Sequence, residues 1–380
     1  MSDFARTLIA WHAEHGRHDL PWQQTRDPYR IWLSEIMLQQ TQVDTVIPYY
    51  ARFLARFPDL PSLAAAEVDD VLGLWSGLGY YARARNLHAA ARAVVERHNG
   101  RFPERAMEIA ALPGIGRSTA AAVAAFAFGE HVAILDGNVK RVLCRVFGVG
   151  GFPGEKAVEN TLWALAESLL PETAGGGTDD RGNTRVNEAA PADRPTDIAI
   201  YTQAQMDFGA TLCTRARPAC TRCPLAETCV AFRHGRVAEL PAARPRKARP
   251  HRDSRVAVVI ERGQVLLEKR PPAGIWGGLL ALPELPAEAT GHADAAAWVQ
   301  QTIAREAVSV RTLAPVAHAF THFTLSLSPV LIELVEPEGA AALASEPGPL
   351  QWLALDDLEN AALPTPVRKI LTALTHPGLF

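Results

Sequence analysis

Nothing in this 380-residue chain is hydrophobic for long. The longest apolar stretch, Ala120 to Phe128, is far short of the roughly 20 residues that a membrane span requires. No leader-like segment follows Met1-Ser2-Asp3, where an amphipathic run holds Arg6, His12, Glu14 and His15, so a soluble cytoplasmic protein is expected. Neither sign of charge is in excess: the formal net charge is −3. No global field therefore announces a polyanionic partner, and any such partner must be met by local placement of charge. Internal repeats are absent. Cysteine is scarce too, with five in the chain, which excludes a disulfide scaffold.

Four of those five are crowded together. Cys213, Cys220, Cys223 and Cys229 are separated by six, two and five residues, too close for two unstrained disulfides but well suited to one inorganic centre that accepts four thiolates. An iron–sulfur cluster is the leading expectation. Zinc is the rival, although zinc frameworks usually show two close cysteine pairs and this run has one. Cys144 lies in an apolar helical stretch and reads as a small core residue.

With 48% hydrophobic residues the chain can bury two cores. From Phe4 to about Pro171 the apolar residues recur at spacings of three and four, as in ARNLHAAARAVVERHNG and STAAAVAAFAFG, which predicts an all-α domain. Thr173 to Thr196 is polar and Gly-rich and predicts a mobile surface loop. Helix resumes over Asp197 to Leu212. Beyond Cys229, Arg233 to Arg255 holds six Arg or Lys between Arg244 and Arg255, with three prolines, and reads as a basic linker. The period then changes. RVAVVI and QVLLEKR predict a β-hairpin, FTLSLSPVLIELV predicts further strand, and a helix closes the chain from Pro364 to His376. The expected boundaries are a helical domain over 1–232, a linker over 233–253 and an α+β domain over 254–380.

Two carboxylates stand out. Glu35, in YRIWLSEIMLQQTQV, shares a helical stripe with Ile31, Trp32 and Leu38, so it loses hydration and holds its proton more tightly than a solvated acid, as a general acid must. Burial against an arginine is the structural alternative. Asp136 and Asn138 both lie at the start of the helix in ILDGNVKRVLCRVF. Asn138 is the better-placed cap by sequence, leaving Asp136 free to point from the apolar run Val132–Leu135 into a cleft; a simple capping role for Asp136 is the alternative. Between them, LPGIG from Leu112 through Gly114 to Gly116 makes a turn whose N–H groups could meet a phosphate, or simply join two helices. One hydrophobic acid and one carboxylate follow the logic of glycosidic cleavage.

LPWQ at Leu20, WLSEIMLQQTQV at Trp32, GLGYYARARNL at Gly77, LPGIGRSTA at Leu112, LDGNVKRVL at Leu135 and the four cysteines resemble, in order and spacing, the MutY-type adenine DNA glycosylases of the helix-hairpin-helix superfamily. The resemblance implies a mainly α glycosylase domain with a [4Fe-4S] loop and an α+β Nudix-like C-terminal domain, acting as a monomer on double-stranded DNA with A:8-oxoguanine or A:G mispairs. It implies that Glu35 protonates adenine and then handles the attacking water. Asp136 stabilises the sugar cation with Asn138 beside it. Gln39, Gln40 and Tyr80 enter the duplex, and Trp22 and Asp207 line the pocket. Endonuclease III-like relatives, which also cut the strand, carry a Schiff-base lysine where this chain has Ser118; base removal by water without strand cleavage is therefore expected.

The C-terminal match is less specific: RPPAGIWGGLLALPE at Arg270 and HAFTHFTL at His318. Gly278 and Glu284 have the spacing that opens a Nudix hydrolase box, but the later acidic positions fall on His292, Ala293, Ala296 and Ala297, so no Mg²⁺ site for pyrophosphate hydrolysis is expected. The domain reads as a lesion sensor. The family's Phe-Ser-His contact appears as Phe320-Thr321-His322, with threonine keeping the hydroxyl and adding a methyl group. The rivals are a bifunctional endonuclease III-like lyase, a nucleotide-pool hydrolase and a non-catalytic cluster-bearing DNA binder.

Overall fold

The computed structural model describes residues 2–172, 196–245, 248–272, 274–320, 322–335, 349–358 and 361–375. Residues 173–195 of the polar segment expected as a loop, Arg246 and Lys247 of the linker, and Thr321 lie outside them, while Thr196 caps the helix that follows.

Helices run in the order α1 (Asp3–His15), α2 (Pro28–Leu38), α3 (Val43–Arg56), α4 (Leu60–Ala64), α5 (Val68–Trp75), α6 (Ala82–His98) and α7 (Ala106–Ile109). They continue as α8 (Arg117–Val123), α9 (Gly137–Phe147), α10 (Lys156–Ser168), α11 (Asp197–Asp207), α12 (Val230–Arg233), α13 (His292–Ile303) and α14 (Thr365–Thr375). The strands are β1 (His251–Glu261), β2 (Gln264–Lys269), β3 (Leu280–Ala281), β4 (Ala307–Thr312), β5 (Val316–Ala319), β6 (Thr324–Leu334) and β7 (Leu350–Ala354). Among the described residues no helix is long and apolar enough to cross a membrane.

Packing divides the chain into two units: Met1–Ala65 with Ala89–Arg246, and Ala66–His88 with Lys247–Phe380. The second unit thus takes in α5 and the first turns of α6, a segment that sequence patterning assigns to the helical domain. Helical periodicity reports that a stretch is a helix, not which core it joins.

In the first unit α9 carries the pattern most plainly. Val139, Val142, Leu143, Cys144 and Val146 are buried, and they share a core with Leu8 and Trp11 of α1 and Ile198, Tyr201 and Ala204 of α11. Asp27 caps α2 by accepting from the Tyr29 N–H at 2.9 Å, and Pro28 opens the helix, where the missing N–H costs nothing. The turn between α7 and α8 is the LPGIG segment: Leu112 and Ile115 anchor it in the core, and Gly114 reverses it at φ +74°.

The second unit is a mixed sheet of order β3-β2-β1-β6-β4, with β5 also on β6 and β7 on β2. The expected β1–β2 hairpin is antiparallel, pairing Ile260 with Val265. Val256 and Val258 of β1 face one core and Ala257 and Val259 the other, which explains a continuous apolar run in place of alternation. α14 covers the first face and α13 the second.

Candidate active site

Glu35 sits in the third turn of α2 between buried Ile31, Trp32, Ile36 and Met37. Among the described residues it has neither a hydrogen-bond nor an ion-pair partner, so the arginine-paired alternative is absent. Burial pushes its carboxyl from 4.5 up to about 8, and the charge of Asp136 adds to the rise. That interaction places the two acids in one electrostatic neighbourhood although 101 positions separate them in the chain.

Asp136 holds a different post from the one expected. Its Oδ1, not the Asn138 side chain, caps α9, accepting the Val139 N–H at 2.7 Å. The cap needs a side-chain oxygen that reaches the third residue onward, and Asp136 stands at that offset. Oδ2 remains, receiving Asn138 Nδ2 at 3.4 Å. Burial leaves the Asp136 carboxyl raised, although the N–H groups of Val139 and Asn138 and the charge of Arg141 oppose the rise. Glu35 has no such counterweight. Of the two acids, Glu35 is raised by burial and by a neighbouring charge with nothing to oppose them, whereas hydrogen bonds and Arg141 partly offset the burial of Asp136.

Two supporting residues, Arg141 and Gly209, are not marked by the sequence, and Ser118 and Gln39, which are, make bonds it does not show. Arg141, one turn along α9, donates to Asn138 Oδ1 at 2.8 Å, to the Gly209 carbonyl at 2.7 Å and to the Cys213 carbonyl at 2.8 Å. Gly209 lies against Asn138 so closely that a Cβ there would stand 2.6 Å from Asn138 Cβ. Ser118 accepts the Leu135 N–H on its Oγ at 3.0 Å, tying α8 to the residue before Asp136. Gln39, at the C-terminal end of α2, donates to Thr119 Oγ1 at 3.3 Å. The bonds from Arg141 to Gly209 and Cys213 and from Gln39 to Thr119 join segments about 70 to 80 positions apart, which no local pattern marks.

Gln40 is exposed at φ +57°. Trp22 is buried edge-on to Tyr50 at 5.5 Å. Asp207 is 0% exposed, and its carboxylate receives the Arg17 backbone N–H at 2.9 Å, Arg17 Nε at 2.8 Å and Gln203 Nε2 at 3.0 Å, with His12 Nε2 at 3.3 Å. It therefore orients Arg17 and presents no open carboxylate. Its carboxyl lies below the ordinary range: burial works upward, but the His12 and Arg17 bonds prevail.

The four cysteines line one pocket with Phe208, Leu212 and Val237. Arg145 of α9, buried, straps the loop by donating to the carbonyls of Thr214 at 2.7 Å, Arg215 at 3.1 Å and Leu240 at 2.8 Å, and its Nη1 lies 3.5 Å from Cys213 Sγ. Among the described residues no three His, Cys, Asp or Glu side chains converge tightly enough for a single metal ion.

In the second unit Tyr80 is half exposed at φ +49°. Phe320 stacks on Phe323 at 4.3 Å and meets His318 edge-on at 4.6 Å. Its N–H donates to the Phe323 carbonyl at 2.9 Å, closing a tip on which His322 is exposed and not a core imidazole.

Residues 33–168 match the HhH-GPD superfamily base excision DNA repair protein family, and residues 255–373 match the NUDIX domain. The adenine DNA glycosylase of Buchnera aphidicola subsp. Baizongia pistaciae is 34% identical over 98% of this chain and 96% of its own. That of Rattus norvegicus is 34% identical over 97% of this chain and 77% of its own. A solved thermostable thymine-DNA glycosylase is 28% identical, with a TM-score of 0.49 over 61% of this chain and 95% of its own. Sharing a third of its residues with such relatives along almost its whole length, the chain belongs to the adenine DNA glycosylase family.

Proposed function

We propose that this protein is a monofunctional base excision repair glycosylase that removes adenine paired with 8-oxoguanine or guanine, by hydrolysis of the N-glycosidic bond. The observation that carries the reading is Glu35, its carboxyl raised by burial to about 8, in electrostatic reach of Asp136, which caps α9. Protonated Glu35 gives its proton to a purine nitrogen, and the bond from adenine to the anomeric carbon breaks with its electron pair leaving on the base. Positive charge builds on the deoxyribose, where Asp136 Oδ2 offsets it. Water then attacks the anomeric carbon as the Glu35 carboxylate takes its proton, leaving free adenine and an abasic site.

Asn138 and Arg141 hold Asp136 in line, and Gly209 leaves Asn138 room. Ser118 has no amine for an imine, and its hydroxyl already accepts the Leu135 N–H, which supports hydrolysis without strand cleavage. The LPGIG turn, with Gly114 and Gly116 exposed, is the proposed phosphate contact beside the flipped nucleotide. Gln39, Gln40 and Tyr80 are the proposed contacts to the duplex, and Phe320, Thr321 and His322 the proposed contacts to the oxidised purine.

The cysteine cavity fits a [4Fe-4S] cluster. All four thiols open onto one pocket, the donor set that such a cluster takes. Burial, then the neighbouring Cys213 and Cys229 sulfurs, push the Cys220 thiol up, a strain that a cationic centre relieves by taking thiolates. Cys213, Cys220, Cys223 and Cys229 would hold the cluster, which supplies structural cross-linking. Its loop exposes Arg215, Arg217 and Arg222 for backbone phosphates, an affinity that weakens with salt.

The test is incubation of purified protein with duplexes holding A opposite 8-oxoguanine, G or T, analysed with and without alkali. Breaks in the adenine strand that need alkali, fastest opposite 8-oxoguanine, are expected. Breaks without alkali would point to a lyase, and equal rates opposite T would remove the mispair preference.

A further inference from the structure

The turn Gly77–Tyr80 is built against resistance. Gly77, Gly79 and Tyr80 all take left-handed backbone angles, at φ +100°, +72° and +49°. Glycine adopts them freely, but a tyrosine does so under strain. A turn that merely reverses the chain is served by Gly or Asn, so a half-exposed tyrosine at such a position marks a constraint with a use. The carbonyls beneath it are taken. Trp75 Nε1 donates to the Gly79 carbonyl at 3.2 Å, and Arg83 Nη2 donates to those of Leu78 and Gly79, each at 3.2 Å. The Arg83 guanidinium lies 5.8 Å from the Tyr80 ring centroid.

What holds the turn from outside comes from the far end of the chain. Ser76, just before it, accepts on Oγ from Arg368 Nη2 at 2.9 Å across 292 positions. Tyr81, just after it, donates its hydroxyl to the Leu363 carbonyl at 3.1 Å across 282 positions, and the same hydroxyl receives the Gly77 N–H at 3.4 Å. Arg368, on α14, also donates to the carbonyls of Leu358 and Ala361. One guanidinium thus fastens the chain entering α14 to the residue that opens the turn.

We infer that Arg368 and Tyr81 are positioning residues that hold the Tyr80 ring rigidly outward as a stacking surface for a base, so that the C-terminal part of the chain governs how tightly a mispair is gripped. The inference rests on the DNA-repair reading above. A rigid aromatic ring loses little freedom on meeting a base, and stacking on such a ring contributes to binding with little sequence preference. Loosening the turn leaves the ring present but no longer preorganised.

The experiment uses the full chain in a Glu35→Gln background, so that duplex binding is read without turnover. The Kd ratio between a matched A:T duplex and an A:8-oxoguanine duplex is measured for that background alone, and with Arg368→Met, Arg368→Lys, Tyr80→Ala, and Arg368→Met with Tyr80→Ala. Tyr80→Ala is expected to shrink the ratio about 10-fold and Arg368→Met by a similar factor, with no further loss in the combination and partial return with Arg368→Lys. Single-turnover base removal at saturating protein, in the Glu35-intact chain, is expected to stay within about 2-fold for Arg368→Met, since no reacting atom is touched. 2-Aminopurine beside the lesion gives a second readout: stacking quenches it, and Arg368→Met is expected to restore its fluorescence. If Tyr80→Ala shrinks the ratio while Arg368→Met keeps both ratio and quenching, the brace is wrong and the repair reading stands. If the two losses add independently, the brace is likewise wrong. A background protein that shows no preference for the mispair overturns both.

Discussion

Replacing Glu35 by glutamine should make the protein's stability less sensitive to pH as well as stop its chemistry. The Glu35 carboxyl moves from 4.5 unfolded to about 8 folded, so between those values the folded state holds a proton that the unfolded state has released. The Glu35 contribution to stability is therefore fully present below 4.5 and is lost as pH rises toward 8. The slope is about 1.4 kcal/mol per pH unit, or roughly 3 kcal/mol between pH 5 and pH 7, with a ceiling near 5 kcal/mol over the whole shift. Glutamine does not titrate. Every other group is common to both proteins, so the difference between their unfolding free energies isolates this one. Urea unfolding at pH 5, 6 and 7, followed by the fluorescence of the tryptophans in the helical unit, should show Glu35→Gln gaining on the parent by about 1 kcal/mol or more per unit. Parallel pH dependences would mean that Glu35 is an ordinary hydrated acid, and the argument for its proton would fail.

Asp136→Asn keeps a good helix cap, so the unfolding free energy should change by less than about 1 kcal/mol while single-turnover base removal falls by at least ~100-fold; a matching loss of stability would reduce Asp136 to a cap. Gly209→Ala sets a methyl group 2.6 Å from Asn138 Cβ, and base removal should slow by about 10-fold or more with duplex affinity little changed; undiminished turnover would show that Asn138 does not need its place. Arg141→Met removes the bonds to Asn138, Gly209 and Cys213 together, and should lower both the rate and the iron content of the purified protein; loss of rate with full iron would confine Arg141 to the catalytic end.

The elements whose evidence is local were legible in advance. Glu35 on an apolar stripe, the β1–β2 hairpin and the closing helix α14 each follow from the period of a few residues, and all appear as read, with the helix bounds within a residue. The crowding of four cysteines likewise foretold one shared cavity. What stayed hidden depends on partners distant in the chain. The choice of Asp136 over Asn138 as the cap is not legible in sequence, because two residues with suitable side chains stand two positions apart and only backbone angles choose between them. Arg141 and Arg145 of α9 bind mostly backbone carbonyls far along the chain, which have no signature in residue types. Asp207 reads as a lone acid until Arg17 and His12, nearly 200 positions earlier, close on it. The parallel pairing of β1 with β6 and the passage of Ala66–His88 into the second unit are tertiary choices that hydrophobic periodicity does not encode.

The central claim is that Glu35 and Asp136 act on one nucleoside, and release of free adenine tests it most directly. Wild type, Glu35→Gln and Asp136→Asn are each mixed in excess with an A:8-oxoguanine duplex, and adenine is quantified by chromatography across pH 5 to 9. Wild type should release one adenine per duplex, with a rate that falls as pH passes about 8, while both variants bind the duplex and release almost none. Adenine released at the wild-type rate by either variant, or a wild-type rate indifferent to pH up to 9, would contradict the account.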